Sequence, residues 1–226
     1  MELNLYGSVP TGLSRRAASF VAAHGVRAEV PDVNQYRRRW LELGVPASEI
    51  KRAAAFQRQW GGLVLPPAPD YDGGPRYFQV DTPERFPAGS TSSWPESGWC
   101  FEAGPQRTAV PYSFMIGPEG EFGISAGAWV TLHETVEGWV ESVALATHAA
   151  YWAKQITKMT GEMLDQLNLD GFQPVAEVRG RADTWWRGTD SLVAIYSGES
   201  ALLGVPVPRT AWVYAGLDAW ELHGGV

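Results

Sequence analysis

The sequence predicts an α+β fold, a mostly antiparallel sheet backed by helices. Helical and strand-like stretches come in blocks and do not alternate, as expected when the two kinds of element segregate. Residues 50–75 read as a helix carrying Phe56 and Trp60 one turn apart, stopped by Gly61-Gly62 and followed by a short apolar strand. Pro66 and Pro67 forbid that strand from continuing as a paired central one. Thr135 is placed to cap a long helix whose Trp139, Val140, Val143 and Ala144 form an apolar stripe.

In chain order, residues 14–24 read as a helix with Gly25 as a left-handed stop, and Asn34 as the cap of a second helix over 35–43 ended by Gly44. Pro46 suits the first turn of a third helix that runs to Trp60. Residues 65–95 are rich in Pro, Gly, Asp and Ser and read as a long ordered loop, with one strand over 76–80. Strands follow over 110–116, 121–124 and 128–133, with Gly117-Pro118-Glu119-Gly120 as a hairpin turn. The Thr135-capped helix is expected to reach about residue 158, and a shorter helical piece ends before Asp170-Gly171. Strands close the chain over 174–179, 185–186, 191–196 and 211–214. The whole reads as one domain: an N-terminal helical part (1–45), a core (46–160) and a C-terminal β extension (161–226).

The chain has 226 residues, 45% of them apolar and 19% charged, enough to bury a sizeable core. Its net charge of −7 is unevenly spread. Residues 1–60 hold nine Arg/Lys against five Asp/Glu, and residues 61–226 nine against twenty, a local charge of −11. An acidic body argues against direct nucleic-acid binding, which needs clustered positive charge, and suits a basic partner. Arg37-Arg38-Arg39 reads as a solvated helix face. The single cysteine, Cys100, excludes an internal disulfide and a cysteine-based zinc site, and reads as a small buried hydrophobe. No signal pattern and no membrane-length apolar run is present, so a cytoplasmic location without membrane contact is expected.

Two motifs invite a catalytic reading. Gly123-Ile124-Ser125-Ala126-Gly127 spells G-x-S-x-G, but a nucleophile elbow needs a helix directly after the serine, and a strand pattern follows here. His133-Glu134-Thr135-Val136-Glu137 approaches H-E-x-x-H with Glu in the last place; His133 falls before the helix cap, so His133 and Glu137 do not share a helix face. Glu137, Glu141 and His148 read as a solvated side of the long helix. No catalytic residue, cofactor or metal site is assigned.

The run Trp40-Leu41-Glu42-Leu43-Gly44-Val45-Pro46, with Phe56 and Trp60-Gly61-Gly62, is similar to the start of the SUKH superfamily, with Val45 where Leu is commoner. Phe114-Met115-Ile116-Gly117, Gly120 and Phe122-Gly123 resemble its central strand pair. Thr135-Val136-Glu137-Gly138-Trp139-Val140-Glu141 resembles the helix packed on that pair. The resemblance spans residues 40–141; the first thirty-odd residues and those after about Gly161 have no counterpart. It implies a sheet backed by helices, no catalysis, and binding of a protein, typically a toxin in a bacterial toxin-immunity system. Many toxins met by such proteins resemble nucleases or deaminases with basic clefts.

Together these readings predict a non-catalytic protein-binding module, with Asp70, Tyr71, Asp72, Trp94, Glu96, Trp99, Glu102, Trp185 and Trp186 as its partner-binding residues. Tryptophan and tyrosine suit the role because they bury a large area and keep a polar edge. Two other readings stand beside it: a carbohydrate-binding module stacking sugars on exposed Trp, and a serine hydrolase using Ser125.

Overall fold

The computed structural model describes residues 9–87 and 98–223. Among these, seven α-helices and three mostly antiparallel sheets make an α+β fold. The described chain divides into two compact units: residues 9–11, 20–67, 72–87 and 98–131 form one, and residues 12–19, 68–71 and 132–223 the other.

The first helix, α1 (Arg15–His24), passes through Gly25 directly into β1 (Val26–Arg27). Gly25 N–H bonds the Val21 carbonyl at 2.8 Å and takes no positive φ, because the next two residues must stay extended to pair with the second strand. The predicted cap Asn34 lies inside a 3-10 turn, Val33–Tyr36. Asp32 caps that turn, its short carboxylate accepting from the Asn34 N–H at 2.9 Å. Helices α2 (Arg37–Glu42) and α3 (Ala47–Trp60) follow, the latter directly after Pro46. The arginine triplet on α2 is exposed, as expected of a solvated face.

At the end of α3 the double glycine does two jobs. Gly61 N–H closes the helix on Gln57 C=O at 2.8 Å. Gly62, at φ 75°, donates to Phe78 C=O and accepts from Ala28 N–H, both at 2.8 Å. A Cβ at Gly62 would run into the Ala28 carbonyl oxygen, so only glycine satisfies both the backbone angle and the space. The chain then enters β2 (Leu63–Val64), antiparallel to β1. Phe56 packs edge-on to Phe78 and Phe101 at 6.0 and 5.4 Å, and Trp60 meets Phe78 at 5.5 Å.

Residues 76–80, expected as a strand, run irregularly. Their amides are divided between two segments, Arg76 and Gln79 bonding the carbonyls of Pro105 and Ala103 and Phe78 that of Leu63, so no single ladder forms. Strands β3 (Glu84–Phe86), β4 (Gly98–Gly104), β5 (Ser113–Ile116), β6 (Phe122–Ser125) and β7 (Trp129–His133) make a meander in chain order. The strand at β4 escaped the sequence reading because it is buried on both faces and bulged between Glu102 and Gly104, which destroys its alternation. Arg52 fastens α3 to this sheet: it donates to the carbonyls of Gly117 and Trp99, each at 2.6 Å, while its guanidinium lies 4.7 Å from the Phe101 ring centre.

In the second unit Thr135 caps α4 (Val136–Trp152) as expected, its hydroxyl accepting from Gly138 N–H at 3.2 Å. The helix ends at Trp152, six residues before the expected limit. Residues expected to extend it form β8 (Gln155–Thr160) instead, because its β-branched residues find a six-residue ladder on a later strand. After α5 (Glu162–Asp165) come β9 (Gln173–Pro174), β10 (Asp183–Arg187), β11 (Ser191–Tyr196), α6 (Glu199–Leu202), β12 (Thr210–Ala215) and α7 (Ala219–Leu222). The strand order is β8-β12-β11-β10-β9, antiparallel throughout. β9 is shorter than the predicted 174–179 because the Val178 N–H turns back onto Val175 C=O.

One face of this sheet places Trp185 stacked on Tyr214 at 5.8 Å, with Leu192 and Ala194 in register beside them. On the other face Val193, Ile195 and Ala211 are covered by Leu164, Leu167, Leu169, Phe172 and Trp186. That is why β11 reads as a continuous apolar run. The expected solvated side of α4 is also corrected. Glu141 is buried, its carboxylate taken by the Ser14 N–H at 2.6 Å, the Ser14 hydroxyl at 2.8 Å and Arg16 at 3.2 Å. The start of α1 supplies these partners from 127 and 125 residues away, beyond the reach of a local pattern.

Gly62→Ala is expected to destabilise the first unit by roughly 1–3 kcal/mol from backbone strain alone, with a further loss if Ala28 is displaced. Urea unfolding followed by Trp fluorescence measures it. A midpoint equal to that of the unchanged chain refutes the role given to Gly62.

Candidate functional site

Helix α4 ends on two adjacent large aromatics. Neighbouring residues on a helix point about 100° apart, so Tyr151 and Trp152 cannot share one buried stripe. Tyr151 is 77% exposed, Trp152 39%, and Trp220 of α7 52%. The three rings form one continuous cluster: Tyr151–Trp152 at 5.0 Å and 78°, Trp152–Trp220 at 5.6 Å and 86°. Helix α7 is held in place by a capping box in which Asp218 accepts from Glu221 N–H and Glu221 from Asp218 N–H. His148 ties it to α4, its Nε2–H donating to Glu221 C=O at 2.7 Å. Burial holds the His148 pKa below the ordinary histidine value, against the pull of that bond, which keeps the ring neutral between Trp152 and Trp220.

The cluster leads straight into β8, the edge strand of the five-stranded sheet of the second unit. All its residues but Met159 are exposed, including Ile156 at 43%. Lys158 lies with its Nζ 5.2 Å from the Trp212 ring centre. Lys154 donates its N–H to Ala215 C=O at 3.0 Å and so continues the ladder just ahead of the strand.

The residues singled out in the sequence lie in both units. Asp70 is exposed and accepts from the Tyr214 hydroxyl at 3.3 Å, and Tyr71 stacks on Tyr196 at 5.9 Å. Trp185 is 2% exposed, with its indole N–H donated to Ser142; Trp186 is half-buried against the Val193–Ile195 cluster. In the first unit Asp72 is exposed, its charge acting on Arg107. There too Trp99 is half-buried on β4, and Glu102 accepts from the Ser113 hydroxyl at 2.9 Å. Trp94 and Glu96 lie outside the described residues. Reasoning from the sequence passed over Tyr151, Trp152 and Trp220. The adjacency of two large aromatics at a helix end was the signal available for the first two.

Ser125 closes β6, and the chain bends at Ala126 before entering β7, so a strand follows it as the sequence indicated. Cys100 is buried beside Phe86, Met115 and Trp129, and burial pushes its thiol up to about 12. Among the described residues no group of three or more His, Cys, Asp or Glu side chains is arranged to hold a metal ion. None of their helices is long and apolar enough to cross a membrane.

A buried polar chain underlies α4. The Trp185 indole N–H donates to Ser142 Oγ at 3.0 Å, and the Ser142 hydroxyl donates to Asp183. The other carboxylate oxygen of Asp183 faces His133 Nε2 at 2.9 Å, and His133 Nδ1 faces Val178 C=O at 2.9 Å. Both imidazole nitrogens thus meet acceptors, so both carry protons and His133 is an imidazolium paired with a carboxylate. Asp183 thus joins Ser142 and His133 in one chain, its two carboxylate oxygens meeting the serine hydroxyl and the imidazole.

The chain matches no protein-family model, no curated protein and no solved structure.

Burial opposes the charge on His133, but Asp183 and the Val178 carbonyl raise its pKa above the ordinary value of 6.5. Burial likewise opposes ionisation of Asp183, while His133 and Ser142 bring its pKa below 3.8. The His133 contribution is therefore complete below pH 6.5 and lost as pH rises through its raised folded pKa. The Asp183 contribution is present above pH 3.8 and lost as pH falls through its lowered one. Glu199, which burial pushes up to about 8, weakens the fold as pH rises from 4.5 to about 8 and so overlaps the His133 range above 6.5, and single variants are needed to separate the two. Asp183→Asn is expected to cost about 3–5 kcal/mol near neutral pH and His133→Gln to remove part of the alkaline decline. Denaturant titrations across pH measure both, and a His133→Gln profile parallel to that of the unchanged chain refutes the charged pair.

Proposed function

We propose that this chain is a non-catalytic protein-binding module of the immunity type, one that binds and neutralises a cognate toxin. The observation that carries the protein-binding part is the exposed cluster of Tyr151, Trp152 and Trp220. Soluble proteins seldom leave large aromatics contiguous and exposed, and residues of this type dominate binding energy where they are covered. Their mutual angles of 78° and 86° favour a protein surface over a sugar: edge-to-face rings present ridges, whereas a pyranose stacks on a flat platform. The toxin part rests on the SUKH resemblance over residues 40–141 and on the acidic body, whose charge of −11 over residues 61–226 steers a basic partner from a distance.

In this reading charge governs the encounter and the aromatics govern residence. The exposed acids Asp70 and Asp72 belong to the steering field, and the rings of α4 and α7 to the contact.

The intact chain is expected to capture a single protein at stoichiometric level from its native cell. Expressed alone that protein should arrest growth, and growth should return on co-expression with this chain. Tyr151→Ala, Trp152→Ala and Trp220→Ala combined are expected to weaken capture at least tenfold, since each covered aromatic contributes on the order of 1–2 kcal/mol or more. Higher salt should slow association more than it speeds dissociation. A captured protein held equally well by the triple variant removes the proposed surface, and one harmless to the cell removes the immunity reading.

A further inference from the structure

The outer edge of the second unit's sheet begins where the aromatic cluster ends, and its chemistry is that of a strand-receiving site. We infer that β8 takes up an extended segment of the partner, paired antiparallel, with an apolar residue opposite Ile156 and carboxylates facing Lys154 and Lys158. The inference rests on the protein-binding reading and names the segment which that surface accepts.

Three observations converge on it. First, β8 pairs with β12 along all six residues and, among the described residues, stands last in the strand order, so its other side offers alternate N–H and C=O groups outward. Six residues at about 3.3 Å each give an edge of roughly 20 Å, long enough to hold a short strand in one register. Second, the register Ile156↔Tyr214 and Lys158↔Trp212 puts Ile156 and Lys158 on the same face, that of the Trp185–Tyr214 stack, leaving Ile156 43% exposed. Third, the charge along this edge departs from that of its surroundings. Residues 132–226 contain twelve Asp/Glu and six Arg/Lys, and their only two lysines, Lys154 and Lys158, bracket Ile156.

Those lysines decide between occupants. A second copy of the chain pairing about a two-fold axis at Ile156 would set Lys154 against Lys158, and one at Lys158 would set that lysine against itself. Like charges directly opposite are destabilising, so these two registers of self-pairing are disfavoured. An acidic–apolar–acidic segment turns the same two charges into attraction, with Ile156 covered by the apolar residue and Trp152 and Tyr151 flanking the start of the strand. An overall basic partner is compatible with this. The acidic body acts over a Debye length of about 8–10 Å, whereas Lys154 and Lys158 act at contact.

The test uses the full chain and a labelled threonine peptide bearing a central valine with a glutamate two residues to each side. A second peptide carries lysine in place of both glutamates. Fluorescence anisotropy is expected to show binding of the glutamate peptide, weakening with salt, and roughly tenfold poorer binding of the lysine peptide. Lys154→Glu with Lys158→Glu should reverse the preference, and hydrogen exchange should show new protection confined to β8. Equal binding of the two peptides, no binding of the glutamate peptide, or dimerisation of the chain through β8 overturns the inference. If the peptide fails while a cellular partner is still held through Tyr151, Trp152 and Trp220, the strand-receiving edge falls and the protein-binding reading stands. A chain that captures no protein overturns both.

Discussion

A charge withdrawn from water must be met by an opposite charge or by hydrogen bonds, and the second unit is arranged around two such charges. Glu141 projects from α4 into the start of α1, where the backbone and hydroxyl of Ser14 and the guanidinium of Arg16 complete its shell. Asp183 lies under the same helix, held by Ser142 on one side and His133 on the other. An apolar helix can slide on an apolar sheet at little cost. One that carries a buried carboxylate and donates a hydroxyl to a second has a single position. The location of the aromatic cluster follows, because the end of α4 is placed by what happens along its length.

The first unit obeys a different constraint, that of close backbone approach. Gly62 hands the chain from α3 to β2 at a point where its N–H and C=O bond two separate segments and no side chain fits. Arg52 then spans from α3 to the sheet, its guanidinium taking up the carbonyls of Trp99 and Gly117, which lie just beyond the Phe101–Ile116 end of the β4–β5 ladder. The exposed triplet Arg37-Arg38-Arg39 has none of this: a charge in water makes only weak pairs, such as Arg38–Glu42 at 3.6 Å, and fixes nothing.

The protein-binding proposal and the strand-receiving edge draw on what remains after these demands are met. The rings of Tyr151, Trp152 and Trp220 and the outer side of β8 are the apolar and polar groups of this region that the second unit leaves exposed. Natural sheets commonly place lysine on such an edge to discourage pairing. Here the same lysines select the sign of the strand that is allowed.

The division between what was legible in the sequence and what was not runs along the range of the interactions. The α+β class, the Thr135 cap, the Pro46 start, the Gly61-Gly62 stop, the Gly117–Gly120 turn and strand β11 were all readable, since each depends on residues within a few positions of one another. The cap moved from Asn34 to Asp32 because both residue types can cap and only the geometry of the turn chooses. Residues 155–158 carry the sequence expectation of a continued α4 because they tolerate either state and their ladder lies on β12, fifty to sixty residues on. Glu141 looked solvated because its partners precede it by 125 and 127 residues. The sequence by itself determined where the backbone turns, caps and breaks, since those are local properties of side-chain shape and φ. Tertiary structure alone decided which charges are buried, which of the tryptophans face water and which strand is left as an edge, since each is settled by segments distant in the chain.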